Sequence, residues 1–181
     1  MRRLGELPDV NYRLREDIPV STSLNRLPES LRNVTTRPLF VLREVVPPLL
    51  VVGDTPNGFR RIGVVQGGSF EGERLSGEVV SGNDWQTVRK DSCTKLDVRL
   101  ILRTTDSALI VMTYTVLRAG PPEVMEKLDR GEAPDPSSYY FRMSPMFETS
   151  AKKYDWINRI ISVGVGNRLA DGPVYSIFEV L

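Results

Sequence analysis

Between Gly58 and Arg103 the chain consists of short runs of alternating apolar and polar residues that are broken repeatedly by glycine. Alternation with a period of two is typical of strands that bury one face, and such breaks are typical of the tight turns between strands. Adjacent glycines such as Gly67 and Gly68 also favour the bulges and bends that curl a sheet. This stretch therefore predicts antiparallel strands that form a barrel or a sandwich able to hold a ligand.

Strand-like runs continue through the rest of the chain. Leu39–Val46 and Val174–Val180 predict a first and a last strand, and Trp156–Gly164 predicts another. Ala108–Leu117 is apolar at both odd and even positions, which predicts a central strand covered on both faces. Ser81–Asp84 has the composition of a turn. The predicted fold is all-β, a closed antiparallel β-barrel of about eight or nine strands with an N-terminal extension and little helix.

The first 36 residues differ in composition from the rest of the chain. They are polar, rich in Arg, Pro and Asn, and show little apolar periodicity. We therefore divide the chain into an N-terminal extension, residues 1–36, and a barrel domain, residues 37–181. Two interpretations of the extension stay open. It is a mobile extension or one that lies over the surface of its own barrel, or it is an arm that covers a barrel mouth or packs on a neighbouring subunit in a homodimer.

Composition argues against several classes of function. The formal net charge of +1 gives no electrostatic reason to expect a nucleic acid or an acidic membrane as partner. The absence of histidine excludes a Ser-His-Asp triad and any imidazole metal site, and the single Cys93 excludes an intramolecular disulfide and a thiolate zinc site. No phosphate-binding glycine loop is present, so we predict no cofactor and no metal. The lone thiol and the lack of a secretory or membrane-spanning segment predict a cytoplasmic protein.

Two mixed strand faces suggest a candidate site. Asp97 and Arg99 alternate with an apolar row in one strand, and Tyr140 and Arg142 share a face of another. If these faces line the lumen, Asp97 and Tyr140 are candidate catalytic groups for proton transfer. The candidate substrate-binding residues are Trp85, Arg99, Tyr114, Arg142, Trp156 and Asn158. The alternative is that the charges form an internal ion-pair network or that the face is solvated.

Several segments in order along the chain resemble the DUF3237 family, also called UPF0311. They are GGSFEGERLSGEVVSGNDWQTVR, LDVRLILRT, YYFRMSPMFET and YDWINR, and the resemblance covers roughly Pro38 to Leu181. It implies a closed antiparallel barrel, similar in architecture to ligand-enclosing barrels such as allene oxide cyclase. Some relatives belong to natural-product pathways, which implies cyclase or isomerase roles. The family usually has a glycine where this chain has Ser107.

These observations lead to two hypotheses of function, and a structural subunit of an assembly is a third possibility if side chains fill the lumen. The first is a cofactor-independent cyclase, isomerase or lyase that acts on a small aromatic or polyketide-like molecule in the lumen. It would use acid–base catalysis with stabilisation by arginine. The second is a non-catalytic barrel that binds a small molecule. A perturbed ionisable pair near one ligand atom would distinguish them.

Overall fold

The structure, a computed structural model, describes residues 23–181. The part of it before Thr35 contains two short 3₁₀ helices, Leu24–Arg26 and Glu29–Leu31. The Arg32 guanidinium donates to the backbone carbonyls of Leu27 (2.8 Å) and Asn25 (3.0 Å) and so ties these turns together. The compact unit that follows spans Thr35–Leu181. The predicted division between residues 36 and 37 stays a prediction.

The compact unit consists mostly of strands. The ten strands are β1 Thr36–Val45, β2 Leu50–Thr55, β3 Gly58–Val65, β4 Gly67–Glu71, β5 Ser76–Val88, β6 Thr94–Thr104, β7 Leu109–Ala119, β8 Tyr140–Glu148, β9 Ser162–Leu169 and β10 Gly172–Val180. One α-helix, α1 at Pro122–Asp129, lies between β7 and β8. Two 3₁₀ helices, Pro136–Ser138 and Lys152–Arg159, complete the unit.

All the strand pairs are antiparallel, and eight strands close into a barrel. The order around the barrel is β5-β4-β1-β10-β9-β8-β7-β6, and β6 pairs with β5 again to close it. The remaining two strands form a hairpin, β2–β3, in which β3 pairs with the second half of β5. The predicted all-β fold with a closed antiparallel barrel is therefore confirmed.

The barrel interior is filled by alternate residues of each strand. On β6 and β7 the inward rows are apolar over most of their length, and several of their side chains have no exposed surface, namely Leu100, Leu102, Ile110, Met112 and Val116. β7 has only one buried face, because Leu109 is 57% exposed and Leu117 is 40% exposed. The prediction that β7 is covered on both faces is wrong, since the closed barrel leaves its outer face without a covering layer.

The 3₁₀ helix Lys152–Arg159 closes one end of the barrel. Tyr154 and Ile157 are buried, and the Tyr154 hydroxyl donates to Asp106 (2.9 Å) in the turn between β6 and β7. Lys153 forms an ion pair with the same carboxylate. The prediction of a strand over Trp156–Gly164 is wrong in its first half. Residues 156–159 belong to the 3₁₀ helix that closes this barrel end, which we call the plug, and β9 begins only at Ser162.

The turn between β6 and β7 requires an unusual backbone. Ser107 has a φ of 69°, in the left-handed region that favours glycine. The resemblance to the DUF3237 family implies a glycine at this position. The chain keeps the left-handed turn and accommodates a serine in it, within a turn that is further held by the Thr104 hydroxyl, which accepts from the backbone N–H of Ala108 at 2.9 Å.

Candidate functional site

A cavity of about 580 Å³ opens at the barrel end opposite the plug. Its wall includes the inward residues where β5, β7, β9 and β10 reach this end, together with the β1–β2 connection and the C-terminal end of α1. The apolar part of the lining includes Leu49, Leu96, Leu128, Phe141 and Tyr175, and the charged part is Arg61, Asp84, Arg118, Asp129, Arg130 and Arg168. The barrel is thus hollow at one end, with four arginines and two aspartates around the space.

Asp84 is the carboxylate that lies deepest in this wall. It is only 7% exposed, and its Oδ2 accepts a hydrogen bond from Gln86 Nε2 at 2.6 Å. Burial raises the pKa of Asp84 to about 6, while the Gln86 hydrogen bond and the charges of Arg118, Arg61 and Arg168 oppose the rise. Its second oxygen, Oδ1, is buried and has no hydrogen-bond partner.

Arg118 is the buried cation of the cavity. It is 5% exposed, and its guanidinium carbon lies 5.6 Å from the centre of the Phe141 ring. Burial lowers the pKa of Arg118, and the charge of nearby Arg61 lowers it further. Its Nε is also buried without a hydrogen-bond partner. Of all the buried side-chain nitrogen and oxygen atoms in residues 23–181, only this Nε and the Oδ1 of Asp84 are unpaired.

Two hydrogen bonds and one ion pair connect Asp84 to the mouth of the cavity. Gln86 donates to Asp84 and accepts from the Arg61 Nε at 2.8 Å. Arg61 in turn forms an ion pair with Asp129 of α1, at 2.9 Å. The amide orientation of Gln86 is therefore set by Arg61, and the side chains from the buried carboxylate to the helix at the mouth form one connected network.

A second acidic group, Glu44, is buried in the barrel and lies outside the cavity lining. It is 2% exposed and accepts a short hydrogen bond from the Tyr114 hydroxyl. Burial raises the pKa of Glu44 to about 8; the Tyr114 hydrogen bond opposes the rise and the charge of Asp84 adds to it. The ring of Tyr114 lies edge-on to Tyr175, which does line the cavity, with 6.0 Å between the ring centres.

Most of the residues predicted as a site lie elsewhere. Asp97 and Arg99 are exposed on the outer face of β6, while the apolar row of that strand faces the interior. Tyr140, 53% exposed, and Arg142 lie on the outer face of β8. The expectation that these faces line the lumen is therefore corrected: a barrel interior excludes water, so the apolar row is the one that turns inward. A catalytic role for Asp97 and Tyr140 stays a prediction without support from a shared cavity.

The other predicted residues fall into three places. Trp85 is 48% exposed, pairs across the strands with Asp97, and lines an outer groove of about 440 Å³ together with Asp97 and Arg99. Trp156 is part of the plug, with the Arg74 guanidinium stacked 3.9 Å from its ring centre. Asn158 bonds the backbone N–H and carbonyl of Thr149 and so has a structural contact. Tyr114 is the predicted residue that does lie inside the barrel.

The sequence contained a signal for the residues that were missed. Glu44 follows Phe40 and Leu42 on one parity of β1, and Arg118 ends the row Ile110, Met112, Tyr114, Val116 of β7. A single charged residue on an otherwise apolar strand face is expected to be buried, and a buried charge without a nearby partner is typical of a functional site. Asp84 carried no such signal, because the residues around it were interpreted as a turn.

Comparison with known proteins identifies the family. A sequence model described as "Protein of unknown function (DUF3237)" matches residues 34–180. The chain belongs to the DUF3237 (UPF0311) family. A UPF0311 protein of Rhodopseudomonas palustris is 34% identical over 147 residues, which are 81% of this chain and 96% of that protein. A UPF0311 protein of Bradyrhizobium diazoefficiens is 33% identical over the same length. The resemblance noted in the sequence is confirmed.

Solved structures of the family have the same fold. A crystal structure of a conserved protein of unknown function from Rhodopseudomonas palustris superposes with a TM-score of 0.80 at 33% identity, over 82% of this chain and 99% of that one. A β-barrel-like protein from Acinetobacter baumannii superposes with a TM-score of 0.71 at 34% identity, over 82% and 97%. An enzyme from Penicillium herquei has a TM-score of 0.63 over 82% of this chain and 95% of that one, and at 19% identity this likeness shows the fold alone.

Within residues 23–181, no group of three or more Cys, Asp and Glu side chains lies close enough together to hold a metal ion. Over the same residues, none of the helices has the length and apolar character needed to cross a membrane.

Proposed function

We propose that this DUF3237 protein transfers a proton to or from a small molecule bound in the barrel lumen, with Asp84 as the acid–base group. The observation that carries the proposal is a carboxyl group in the wall of the 580 Å³ cavity with one oxygen held by Gln86 and the other unpaired. A pKa raised to about 6 leaves Asp84 ionised at neutral pH and yet a stronger base than an exposed aspartate.

Arg118 supplies the electrostatic part of the mechanism. When Asp84 takes a proton from a bound molecule, negative charge develops on that molecule, and the buried guanidinium of Arg118 stabilises it. Such stabilisation is stronger from a buried cation than from an exposed one, because less solvent screens its charge. The reaction class is that of a cofactor-independent isomerase, cyclase or lyase, and an enzyme of this fold from Penicillium herquei supports the proposal that the barrel can host catalysis.

A proton-abstraction probe tests this proposal without knowledge of the natural substrate. In 5-nitrobenzisoxazole a base removes the proton on C3, the C–H electrons form a nitrile, and the N–O bond breaks to leave a coloured phenolate. We expect the purified chain to accelerate this elimination, with a rate that rises with pH, is half-maximal near pH 6 as Asp84 ionises, and levels off above about pH 7.

Two matched variants locate the base. Asp84→Asn should lower the rate by about a hundredfold or more, as expected for the loss of a general base. Asp97→Asn, which removes the exposed carboxylate on the outer face of β6, should leave the rate unchanged. Loss of rate in Asp97→Asn but not in Asp84→Asn would overturn the assignment. Melting curves of both variants separate loss of chemistry from loss of fold.

A non-catalytic binding barrel is the second candidate function. It is favoured by the apolar share of the lining, where Leu49, Leu128 and Phe141 offer surface for a ligand without any role in chemistry. A chain that binds the probe but converts it no faster than free acetate would refute the proposed catalysis and support this candidate.

A further inference from the structure

The two unpaired polar atoms of the barrel point to one feature of the ligand. Asp84 Oδ1 and Arg118 Nε are the only buried side-chain nitrogen and oxygen atoms without a hydrogen-bond partner in residues 23–181, and both residues line the same cavity. Buried polar groups are nearly always paired, because an unpaired one loses the hydrogen bonds it had with water. Two exceptions in one cavity wall indicate that a bound molecule or an ordered water pairs with them.

The surrounding contacts leave these two atoms for a ligand. The Oδ2 of Asp84 accepts a hydrogen bond from Gln86. Gln86 in turn accepts a hydrogen bond from Arg61, and Arg61 donates another to Asp129. Asp84 and Arg118 are near enough that each perturbs the pKa of the other through its charge. The free atoms are thus one acceptor and one donor in a single neighbourhood.

We propose that the ligand of this cavity presents an ionisable hydroxyl group, a phenol or an enol, that donates to Asp84 Oδ1 and accepts from Arg118 Nε. A hydroxyl is the smallest group that is donor and acceptor at one atom. The inference rests on the proposed lumen site and specifies the substrate class. In the reaction, the O–H bond breaks, a new O–H bond forms on Asp84, and the electron pair stays on the oxygen beside Arg118.

Other oxygen and nitrogen groups fit less well. A carboxylate would pair with Arg118 but would place its charge beside the Asp84 carboxylate. A ketone or an ether accepts from Arg118 and leaves Asp84 unpaired. An ammonium pairs with Asp84 but repels Arg118 and the nearby charges of Arg61 and Arg168. The apolar lining formed by Leu49, Phe141 and Tyr175 suits a flat hydrocarbon body attached to the hydroxyl.

A pair of ligands that differ by one methyl group tests the inference in the unaltered protein. The probes are 2-naphthol and 2-methoxynaphthalene, and their affinities are measured by calorimetric titration at neutral pH. The ether keeps the acceptor and the ring but cannot donate. We expect 2-naphthol to bind at least about tenfold more tightly, because the ether leaves a buried carboxylate oxygen unpaired. Equal affinities would overturn the inference.

Variants then assign the two contacts. Arg118→Met should weaken 2-naphthol binding by about tenfold or more and shift the ionisation of bound naphthol, read from its naphtholate absorbance, to higher pH. Arg103→Met, which removes an exposed arginine on the outer face of β6 away from the cavity, is the control and should change neither. Asp84→Asn should reduce the preference for naphthol over the ether. A preference that survives both Asp84→Asn and Arg118→Met would also refute the inference.

These results are separate from the test of proton transfer. If 2-naphthol is preferred but nitrobenzisoxazole is not converted, the catalytic proposal fails and the hydroxyl assignment stands. If nitrobenzisoxazole is converted through Asp84 but the two naphthalenes bind equally, catalysis stands and the hydroxyl assignment fails. Probe binding is an equilibrium measurement, so it does not depend on turnover.

Discussion

Replacing the buried Glu44 by glutamine should stabilise the protein at alkaline pH. Burial raises the pKa of Glu44 from 4.5 to about 8, so the folded state holds this proton more tightly than the unfolded state does. By linkage, the contribution of Glu44 to the free energy of unfolding is greatest below about pH 4.5 and falls as pH rises from 4.5 towards 8. Glutamine cannot ionise, and its amide oxygen can still accept the hydrogen bond that Tyr114 donates to Glu44.

The size of the effect follows from the shift in pKa. One pKa unit corresponds to about 1.4 kcal/mol of free energy. Most of the shift acts between about pH 5 and pH 8, where it lowers the free energy of unfolding by about 3 kcal/mol. The wild type should show this loss on top of the smaller one from Asp84, and Glu44→Gln should lack it. Asp84 is present in both proteins, so its contribution cancels in the difference.

Urea unfolding at several pH values measures the difference directly. Glu44→Gln should match the wild type near pH 5 and exceed its stability near pH 8 by about 3 kcal/mol. Glu71→Gln, an exposed substitution on neighbouring β4, should leave the pH dependence unchanged. A Glu44→Gln protein that is less stable than the wild type at both pH values would refute the reasoning. It would mean that Glu44 is buried as a charged partner and not as a neutral acid.

Two further predictions concern a glycine in the barrel wall and the N-terminal boundary of the compact unit. Gly82→Ala should lower the free energy of unfolding by about 1–3 kcal/mol in urea unfolding, because the new Cβ would lie 2.4 Å from both the Arg99 carbonyl oxygen and the Leu100 Cδ2. Ser81→Ala, at the neighbouring exposed position, should be close to neutral. Equal effects of the two substitutions would contradict this prediction. A chain that begins at Val34 should melt at the temperature of the full chain, since strand β1 and the family match both remain; a molten or insoluble product would mean that the N-terminal extension is part of the fold.

The architecture of the barrel could be predicted from local pattern because strands of a closed barrel alternate strictly. In β6 the apolar row and the charged row were evident from sequence, and the structure has the same two rows. Polarity alone does not show which of the two rows faces the barrel interior. The sequence predicts that a polar row lines the lumen. In the structure, the polar groups of the interior are instead single residues within otherwise apolar rows, as with Glu44 and Arg118.

Asp84 was missed for a different physical reason. Ser81–Asp84 has turn composition, but the structure continues β5 through it from Ser76 to Val88. Pairing on both edges, with β6 on one side and β3 on the other, holds these residues extended. Such pairing joins residues far apart in sequence, and a turn propensity read from four residues cannot include it.

The irregular step in β5 sets which side chains enter the cavity. Its pairing with β6 is regular on either side of Val80 but shifts between Val79 and Ser81. Val79 faces inward, and with the extra residue counted Asp84 and Gln86 face inward as well. In a regular ladder through Val80, Trp85 would occupy the interior and Asp84 would lie in solvent.

Insertions and deletions in this strand should therefore have opposite consequences according to where they fall. Loss of Val80 would straighten the ladder and leave Asp84 in the cavity wall, whereas loss of Ser81 with the bulge kept would exchange the two faces from there to Val88. Among relatives, the residue equivalent to Asp84 should be found by counting from the β6 pairing. An alignment column that ignores the bulge would compare a buried acid with an exposed tryptophan.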